Sequence, residues 1–434
     1  MPAQENADPA PEAIPKNESL KTLIWRYRFV HLFQSTNAMS YQIALGSPLI
    51  LFAREMGASA AAIGLISGFT PLLSTLQLFM ARRMERVGYR QTMLSGWTAR
   101  VLTLLALCAM PFLAVSVPHE TIVWLIVAAM FLFNFTRGLA TGAWLPWVTA
   151  LVPRTDRGGF LSRDRMFINI ASVVSLGISG AILSSAHNPP DSTHGMGYAA
   201  IFGLSFGAGA VSLFFLSRIQ NPPSAHQSVG SNGLAWREIL KDKEFRAFTL
   251  FTLVWQVVVA SSATFTIVFS REEAGLSDGA LVWLSAGAAL MAMIGLQVTR
   301  PNLDRRGSKF FMRLVLGWWA IHFSVWLLMA LRVIPTRGEI AAALMLGNGI
   351  FLVIFDTAAT RLLMNLAGDR PGTTQYFAVQ QVQINVAGGL APILWGVILD
   401  SLRDTAFDRF AVFFAAQIAL VGVMALMQRR VREA

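Results

Sequence analysis

Long apolar runs recur along the chain from residue 29 to residue 427. Short polar loops, called joints here, separate them. A helix of about 20 apolar residues crosses the hydrocarbon core of a bilayer, which is roughly 30 Å thick. The pattern predicts twelve membrane-spanning helices, numbered here as spans 1 to 12. They cover residues 29–53, 59–81, 91–113, 121–145, 164–185, 198–217, 247–270, 279–299, 310–331, 340–363, 374–399 and 410–427.

Composition agrees with this pattern, because 54% of the 434 residues are apolar and 14% are charged. A soluble globular chain carries about 25% charged residues. The fold class predicted is therefore an all-α integral membrane protein. The single cysteine, Cys108, excludes an intramolecular disulfide and a cysteine-rich metal site. We find no phosphate-binding loop of the form GxxxxGK[ST] and no metal-ligand cluster in the sequence, and we expect no cofactor, no metal and a monomeric protein.

The net charge of +11 is spread unevenly over the joints. Lysines and arginines crowd the joints between spans 2 and 3, 4 and 5, and 8 and 9, the central loop and both chain ends. The opposite joints hold Arg54, Arg271, Arg332, Arg337, Arg403 and Arg409. Since basic residues stay on the cytoplasmic side of a membrane, both termini are predicted to be cytoplasmic, in what we expect to be a bacterial inner membrane. No basic stretch is long enough to bind nucleic acid, so the charge indicates orientation and contact with anionic lipid.

The two halves of the chain repeat one another at an offset of 217 to 221 residues. Arg54-Glu55 overlays Arg271-Glu272, the joint ERVGYR (85–90) overlays DRRGSK (304–309), and each joint precedes a Gly-Trp pair. Six spans per repeat place both halves in the same orientation. The predicted organisation is a disordered tail (1–24), an N-terminal six-helix bundle (25–217), a cytoplasmic linker (218–245), a C-terminal six-helix bundle (246–428) and a short tail (429–434).

The joint between spans 2 and 3 resembles the motif G-x-x-x-D/E-R-x-G-[RK]-[RK] of the major facilitator superfamily. The matching residues are Glu85, Arg86, Gly88 and Arg90 in the first half and Asp304, Arg305, Gly307 and Lys309 in the second. The resemblance covers the chain from about residue 25. It implies a secondary active transporter that moves a small molecule across the cell membrane by alternating access, with protons as candidate coupling ions.

In this superfamily the acidic residue of the motif locks one arrangement of the two halves. Glu85 and Asp304 are therefore the candidate switch residues. The alternative is that the joint is an ordinary solvated turn that enforces orientation. Gly64 and Gly68 of span 2 fit a gating role at the interface between halves, and static helix packing explains them equally well.

The superfamily lines its central cavity with spans 1, 4, 7 and 10. Each of these spans carries polar or aromatic side chains in this sequence. In spans 1 and 4 these side chains are spaced i, i+3 and i+7, which puts them on one helix face. The candidate site residues are Gln34, Asn37 and Tyr41 in span 1, Asn134, Arg137 and Thr141 in span 4, Trp255 and Gln256 in span 7, and Asn348 and Asp356 in span 10.

Arg137 and Asp356 stand at nearly equivalent positions in the two repeats. A charged side chain within the hydrocarbon core of the membrane costs at least ~2.5 to 3.5 kcal/mol, so such groups usually face a bundle interior. We hypothesise that Arg137 contacts an anionic or polar group of the substrate, and that Asp356 carries a proton or pairs with Arg137. A fixed ion pair, or snorkelling to the membrane surface, is the alternative. For Arg100 in span 3 we expect packing or a lipid-facing side chain.

Two other functions compete with transport for a membrane protein of this kind. A membrane-embedded enzyme needs clustered catalytic groups, and the sequence shows no nucleophile motif, so we expect no enzymatic activity. A non-transporting assembly factor or sensor on the same scaffold is the alternative function. The substrate and the direction of transport stay open at this stage.

Overall fold

The structure is a computed structural model that describes residues 27–77, 80, 87–152, 157–186, 194–220, 239, 241–367 and 373–431. Its helices are Arg28–Leu45, Ser47–Glu55, Ala60–Ser74, Tyr89–Leu113, His119–Thr141, Trp144–Leu151, Arg157–Ala186, His194–Ser217, Lys243–Glu272, Asp278–Ala330, Gly338–Ala367, Thr373–Ser401 and Arg409–Gln428. In the described ranges, ten helical segments are long and apolar enough to cross a membrane. The helix Asp278–Ala330 contains spans 8 and 9, which meet at a turn at Gly307.

Spans 1 and 2 are not among these ten, because the first piece of span 1, Arg28–Leu45, has 18 residues but is too polar, and the described part of span 2, Ala60–Ser74, has 15. The apolar run predicted as span 1 forms two helices, because the chain breaks at Gly46, whose backbone is extended (φ −89°, ψ −163°). Pro48 sits at the start of the second piece, where its missing N–H costs nothing. Span 2 is described as Ala60–Ser74, and several residues after it lie outside the described part of the chain.

Glycines at equivalent points of the two halves adopt the same unusual backbone conformation. Gly57 and Gly275, after spans 1 and 7, have φ of 80° and 64°. Gly88 and Gly307, before spans 3 and 9, have φ of 90° and 74°. Residues with a Cβ rarely adopt positive φ, so the motif glycines are required by the turns they make. The duplication seen in the sequence is therefore present in the backbone.

The helix caps repeat as well. The Ser59 hydroxyl accepts a hydrogen bond from the Ala62 N–H at the start of span 2. Ser277 caps span 8 in the same way, through the Ala280 N–H. Such caps satisfy N–H groups that have no partner inside the helix.

The halves meet mainly through span 2 against span 11 and span 5 against span 8. Glycines bring spans 2 and 11 into backbone contact: a Cβ added at Gly64 would lie 2.2 Å from the Pro392 carbonyl oxygen, and one at Gly68 would lie 2.4 Å from that of Gly389. These contacts lie toward the end of the bundle where spans 1 and 7 finish, which we call the distal end. The opposite end, where residues 27 and 431 lie, is the terminal end.

The predicted linker, 218–245, lies largely outside the described residues. The helix of span 6 ends at Ser217, and that of span 7 begins at Lys243. The domain boundaries stay predictions.

Candidate functional site

A cavity of about 250 Å³ lies in the N-terminal half, between spans 1, 3, 4 and 5. It brings together five of the ten predicted site residues. They are Gln34, Asn37, Tyr41, Arg137 and Thr141. The helical spacing that selected them puts the first three on one face of span 1. Apolar side chains complete the wall, namely Phe33, Met93, Trp97 and Trp144.

Arg137 is the charged group of this cavity. Its guanidinium carbon lies 5.1 Å from the centre of the Tyr41 ring, a cation-π contact. Its Nη1 donates a long hydrogen bond of 3.4 Å to the Ser74 hydroxyl. No carboxylate lines the cavity or pairs with Arg137 among the described residues. The arginine therefore presents its positive charge to the cavity.

A second arginine stands directly behind the cavity wall. Arg100 is 0% exposed and donates from Nη1 to the Asn37 side-chain oxygen at 2.6 Å. Its guanidinium also lies over the rings of Trp97 and Phe133, at 5.1 and 4.9 Å. The Nε and Nη2 atoms are buried with no hydrogen-bond partner among the described residues. Arg100 therefore faces the bundle interior, and the lipid-facing alternative is wrong for it.

A buried polar group that the sequence reading missed lies beside the same cavity. His31 Nδ1 is 3.1 Å from one oxygen of Asp164, and Gln34 donates to the other oxygen at 3.2 Å. His31 precedes Gln34 by three residues, so the periodicity that selected Gln34 also points to His31. Asp164 gave no such signal, because it stands at the estimated start of span 5, where a charge is ordinary.

Asp356 lies in the other half and has no hydrogen bond or ion pair among the described residues. Its neighbour Phe355 stacks on Trp255 of span 7, with ring centres 3.6 Å apart. One turn earlier, Phe351 stacks on Trp318 of span 9 at 4.6 Å. Asp356 is exposed and points away from these packed faces of span 10. Arg137 and Asp356 form no ion pair in this conformation.

Four other predicted site residues lie outside the cavity of the N-terminal half. Asn134 is 1% exposed and links spans 2 and 4 by accepting a hydrogen bond from Thr70 at 3.0 Å. Trp255 belongs to the aromatic core of the second half. Gln256 packs against Gly388 of span 11. The side-chain oxygen of Asn348 is buried and has no partner among the described residues.

The first copy of the superfamily motif is partly visible. Glu85 and Arg86 lie outside the described residues. Gly88 forms the turn before span 3, and Arg90 donates to the Ser217 carbonyl oxygen at 2.7 Å, which ties span 3 to the end of span 6.

The second copy occupies the turn between spans 8 and 9. Arg305 is exposed there, Gly307 makes the turn, and the Lys309 carbonyl oxygen accepts from Gln428 of span 12 at 3.0 Å. The side chain of Asp304 is not described. The switching role of both copies stays a prediction.

Charged side chains join the two halves at the distal end. Arg54, after span 1, forms an ion pair with Glu272 at the end of span 7. The other oxygen of Glu272 accepts from Arg409 of span 12 at 2.7 Å. Because Arg54 and Arg271 are equivalent in the repeats, Arg54 pairs with the neighbour of its own counterpart.

Two more carboxylates fasten the same end. Asp400, at the end of span 11, accepts hydrogen bonds from the backbone N–H groups of Ala60 and Ala61, at 2.9 and 2.8 Å. The Tyr198 hydroxyl of span 6 donates to Asp278 of span 8 at 2.5 Å. The distal end is therefore closed by contacts between the halves, and the cavity lies on the terminal side of this closure.

A helical membrane bundle in two repeats, with a polar cavity and contacts that close one end, is typical of a membrane transporter. The sequence profile of the Major Facilitator Superfamily matches residues 30–318. The chain belongs to the Major Facilitator Superfamily, and it is a multi-pass membrane transporter rather than an enzyme. No curated protein sequence matches the chain.

Solved structures of several transporters share the fold. A bacterial homologue of the iron transporter ferroportin, in an inward-facing state, superposes with a TM-score of 0.71 at 13% identity, covering 95% of this chain and 99% of its own. A D-xylose-proton symporter gives 0.69 at 14%, covering 95% and 98%. A variant of the nucleoside transporter NupG gives 0.68 at 14%, covering 94% and 99%. At these identities the likeness shows the fold alone.

Proposed function

We propose that this protein is a secondary active transporter that carries a small organic anion across the cell membrane by alternating access, coupled to protons. The cavity around Arg137 is the observation that carries the proposal. The charge distribution supports cytoplasmic termini, and in this orientation the closed distal end faces the outside.

Charge supports an anionic substrate. Arg137 lines the cavity and Arg100 stands behind it, and no carboxylate of the described residues lines the cavity to neutralise them. Two cations of this kind attract a carboxylate or phosphate, which arginine binds with paired hydrogen bonds. The substrate anion supplies the negative charge that the described lining of this cavity lacks.

Shape adds a second requirement. Phe33, Trp97 and Trp144 line the cavity, and Tyr41 lies against Arg137. Aromatic walls favour a ligand with an apolar body, because such a body gives up water on binding. We infer that the substrate combines one anionic group with an apolar part.

Asp356 is the proposed proton carrier. It lies in the half opposite Arg137, has no ion-pair partner among the described residues, and sits within the membrane. A carboxyl group in that setting is costly when charged, and a proton removes the cost. Its protonation therefore favours movements that take it away from water.

The distal contacts supply the gate. Arg54–Glu272 and Asp400 with span 2 close the outer end in this conformation. Opening that end requires breaking them, while the glycine contacts of spans 2 and 11 act as the pivot. Alternating access between the repeats follows from these two features.

A ligand screen followed by a flux assay tests the proposal. Purified protein is first screened by thermal shift against small organic anions, cations and neutral compounds. We expect stabilisation by anions, and a loss of affinity of about ten- to a hundredfold in Arg137→Gln, the range of a charge-assisted hydrogen bond. The matched control is Arg337→Gln, an exposed arginine far from the cavity, which should bind as the wild type does.

The best anion is then used in proteoliposomes with and without a pH gradient. Flux that follows the gradient supports the coupling. Stabilisation by cations instead of anions contradicts the substrate class. A protein that moves no compound but retains a partner protein through purification contradicts transport and favours the assembly-factor alternative.

A further inference from the structure

A groove of about 590 Å³ runs between spans 9 and 12 on the outer surface of the C-terminal half. It is separate from the cavity around Arg137, which lies in the other half. The two helices are antiparallel, so residues near the start of span 9 lie beside residues near the end of span 12. The groove is lined by Arg313, Leu316, Gly317, Ala320, Ile418, Val421, Gly422, Ala425, Gln428 and Arg429.

Glycines open this groove. A Cβ added at Gly317 or at Gly422 would meet no atom within 4 Å. Gly96, the counterpart of Gly317 in the first repeat, is different, because a Cβ there would lie 2.3 Å from the Cβ of Ala140. Gly96 therefore serves close packing of two helices, whereas Gly317 leaves space that no described residue of the protein fills.

The groove is basic at one end and apolar along the rest. Arg313 and Arg429 lie at its terminal end, and both are exposed. Neither guanidinium makes a hydrogen bond or ion pair with a described residue. From there the lining passes to Gly317 and Ala425, and then to Val421 and Ile418. None of the described residues that line the groove carries a carboxylate.

A basic end followed by an apolar stretch matches the charged headgroup and the acyl chain of a lipid in the surrounding bilayer. An apolar groove at membrane depth is filled by an acyl chain, and basic residues at the membrane surface attract anionic headgroups. We propose that this groove is a binding site for an anionic phospholipid, with the phosphate on Arg313 and Arg429 and an acyl chain against Gly317 and Gly422. The lipid comes from the leaflet at the terminal end.

The proposal explains why two arginines that have no partner among the described residues stand beside two glycines that no described residue covers. The headgroup supplies the anion and the chain fills the space. It also adds to the direct contacts between spans 9 and 12, which include the hydrogen bond from Gln428 to the Lys309 carbonyl oxygen and the stacking of Trp326 on Phe414. Nothing in this argument depends on the substrate or on the coupling ion.

Native mass spectrometry of the full chain tests the site. The protein is titrated with phosphatidylglycerol and with phosphatidylcholine carrying identical acyl chains. We expect the wild type to prefer phosphatidylglycerol, and the double variant Arg313→Gln/Arg429→Gln to lose on the order of tenfold or more of that preference, since each of the two arginines that hold the phosphate contributes roughly fivefold to the binding of an anionic headgroup.

The matched control is Arg305→Gln/Arg430→Gln, which removes two exposed arginines of the same end that do not line the groove. Gly317→Leu/Gly422→Leu fills the groove with side chains and should lower the affinity for both lipids. Equal binding of the two lipids by the wild type overturns the proposal. So does a loss in the control that equals the loss in Arg313→Gln/Arg429→Gln.

Discussion

The Asp400 carboxylate accepts a hydrogen bond from the Ala60 backbone N–H at 2.9 Å, although 340 residues separate them in the chain. Its second oxygen accepts from the next N–H group, that of Ala61. A carboxylate from one half thus caps the first turn of span 2 in the other half, where the helix dipole favours negative charge. In the proposed transport cycle, the cap is present when the distal end is closed and is lost when that end opens.

Asp400→Ala should therefore shift the carrier toward a conformation that is open at the distal end. A charged cap contributes about 1 to 2 kcal/mol, so the shift should be about five- to thirtyfold. The probe is Ser47→Cys in a Cys108→Ala background, because Ser47 is buried between the halves and contacts Ser285 at 3.0 Å. Its reaction with a membrane-impermeant thiol reagent should speed up by that factor.

Asp404→Ala is the control for this experiment, because Asp404 is an exposed carboxylate at the same end. Its labelling rate should equal that of the parent. Equal rates in Asp400→Ala and the parent would show that the cap does not hold the gate.

Gly64→Ala should disturb the interface between spans 2 and 11. The added Cβ would lie 2.2 Å from the Pro392 carbonyl oxygen, so the helices must separate. We expect a lower melting temperature and reduced flux. Gly203→Ala is the control, because a Cβ at Gly203 meets nothing within 4 Å, and alanine should stabilise that helix by about 0.5 to 1 kcal/mol. Two variants that melt alike would contradict the packing account.

Asp356→Asn should uncouple transport from protons. The amide cannot release a proton, so uptake driven by a pH gradient should be lost, whereas exchange of labelled for unlabelled substrate across the membrane should continue. Both are measured in the same proteoliposomes. A variant that still concentrates substrate in response to the gradient would exclude Asp356 as the proton carrier.

Asn37→Asp distinguishes the contribution of Asn37 to the stability of the protein from its contribution to anion binding in the cavity. The aspartate keeps an oxygen acceptor for Arg100, so the melting temperature should not fall, but it adds a negative charge to the cavity wall and should weaken anion binding at least tenfold. Asn37→Ala should instead lower the melting temperature, since it leaves the buried guanidinium without its partner, at a cost of about 1 to 3 kcal/mol. Tighter anion binding by Asn37→Asp would contradict the proposed charge of the site.

Much of the fold could be predicted from the sequence, because a bilayer requires long apolar helices and leaves a strong periodic signal. The repeat was visible because equivalent turns keep equivalent residues. Gly88 and Gly307, for example, stand at turns that need positive φ. The extended backbone at Gly46 was not predicted, since the apolar run continues through it and one extended residue leaves little mark on hydropathy.

The site could be predicted only in part. Helical spacing selected the cavity face of span 1, with Gln34, Asn37 and Tyr41, because those positions depend on one helix. Partners that lie far apart in the chain were missed, as with Asp164 beside His31 and Asp400 beside Ala60. Trp255 was selected by its span, yet it packs in the core, since a helix near a cavity also has faces that do not reach it.

Distances across both ends of the bundle test alternating access most directly. Spin labels are placed at Ser116→Cys and Ala406→Cys for the distal end, and at Gln91→Cys and Arg430→Cys for the terminal end, each pair in a Cys108→Ala background. Pulsed electron paramagnetic resonance then compares the parent with Asp400→Ala. The account predicts opposite changes, a longer distal distance with a shorter terminal one. Distances that stay fixed, or that lengthen together at both ends, would contradict it.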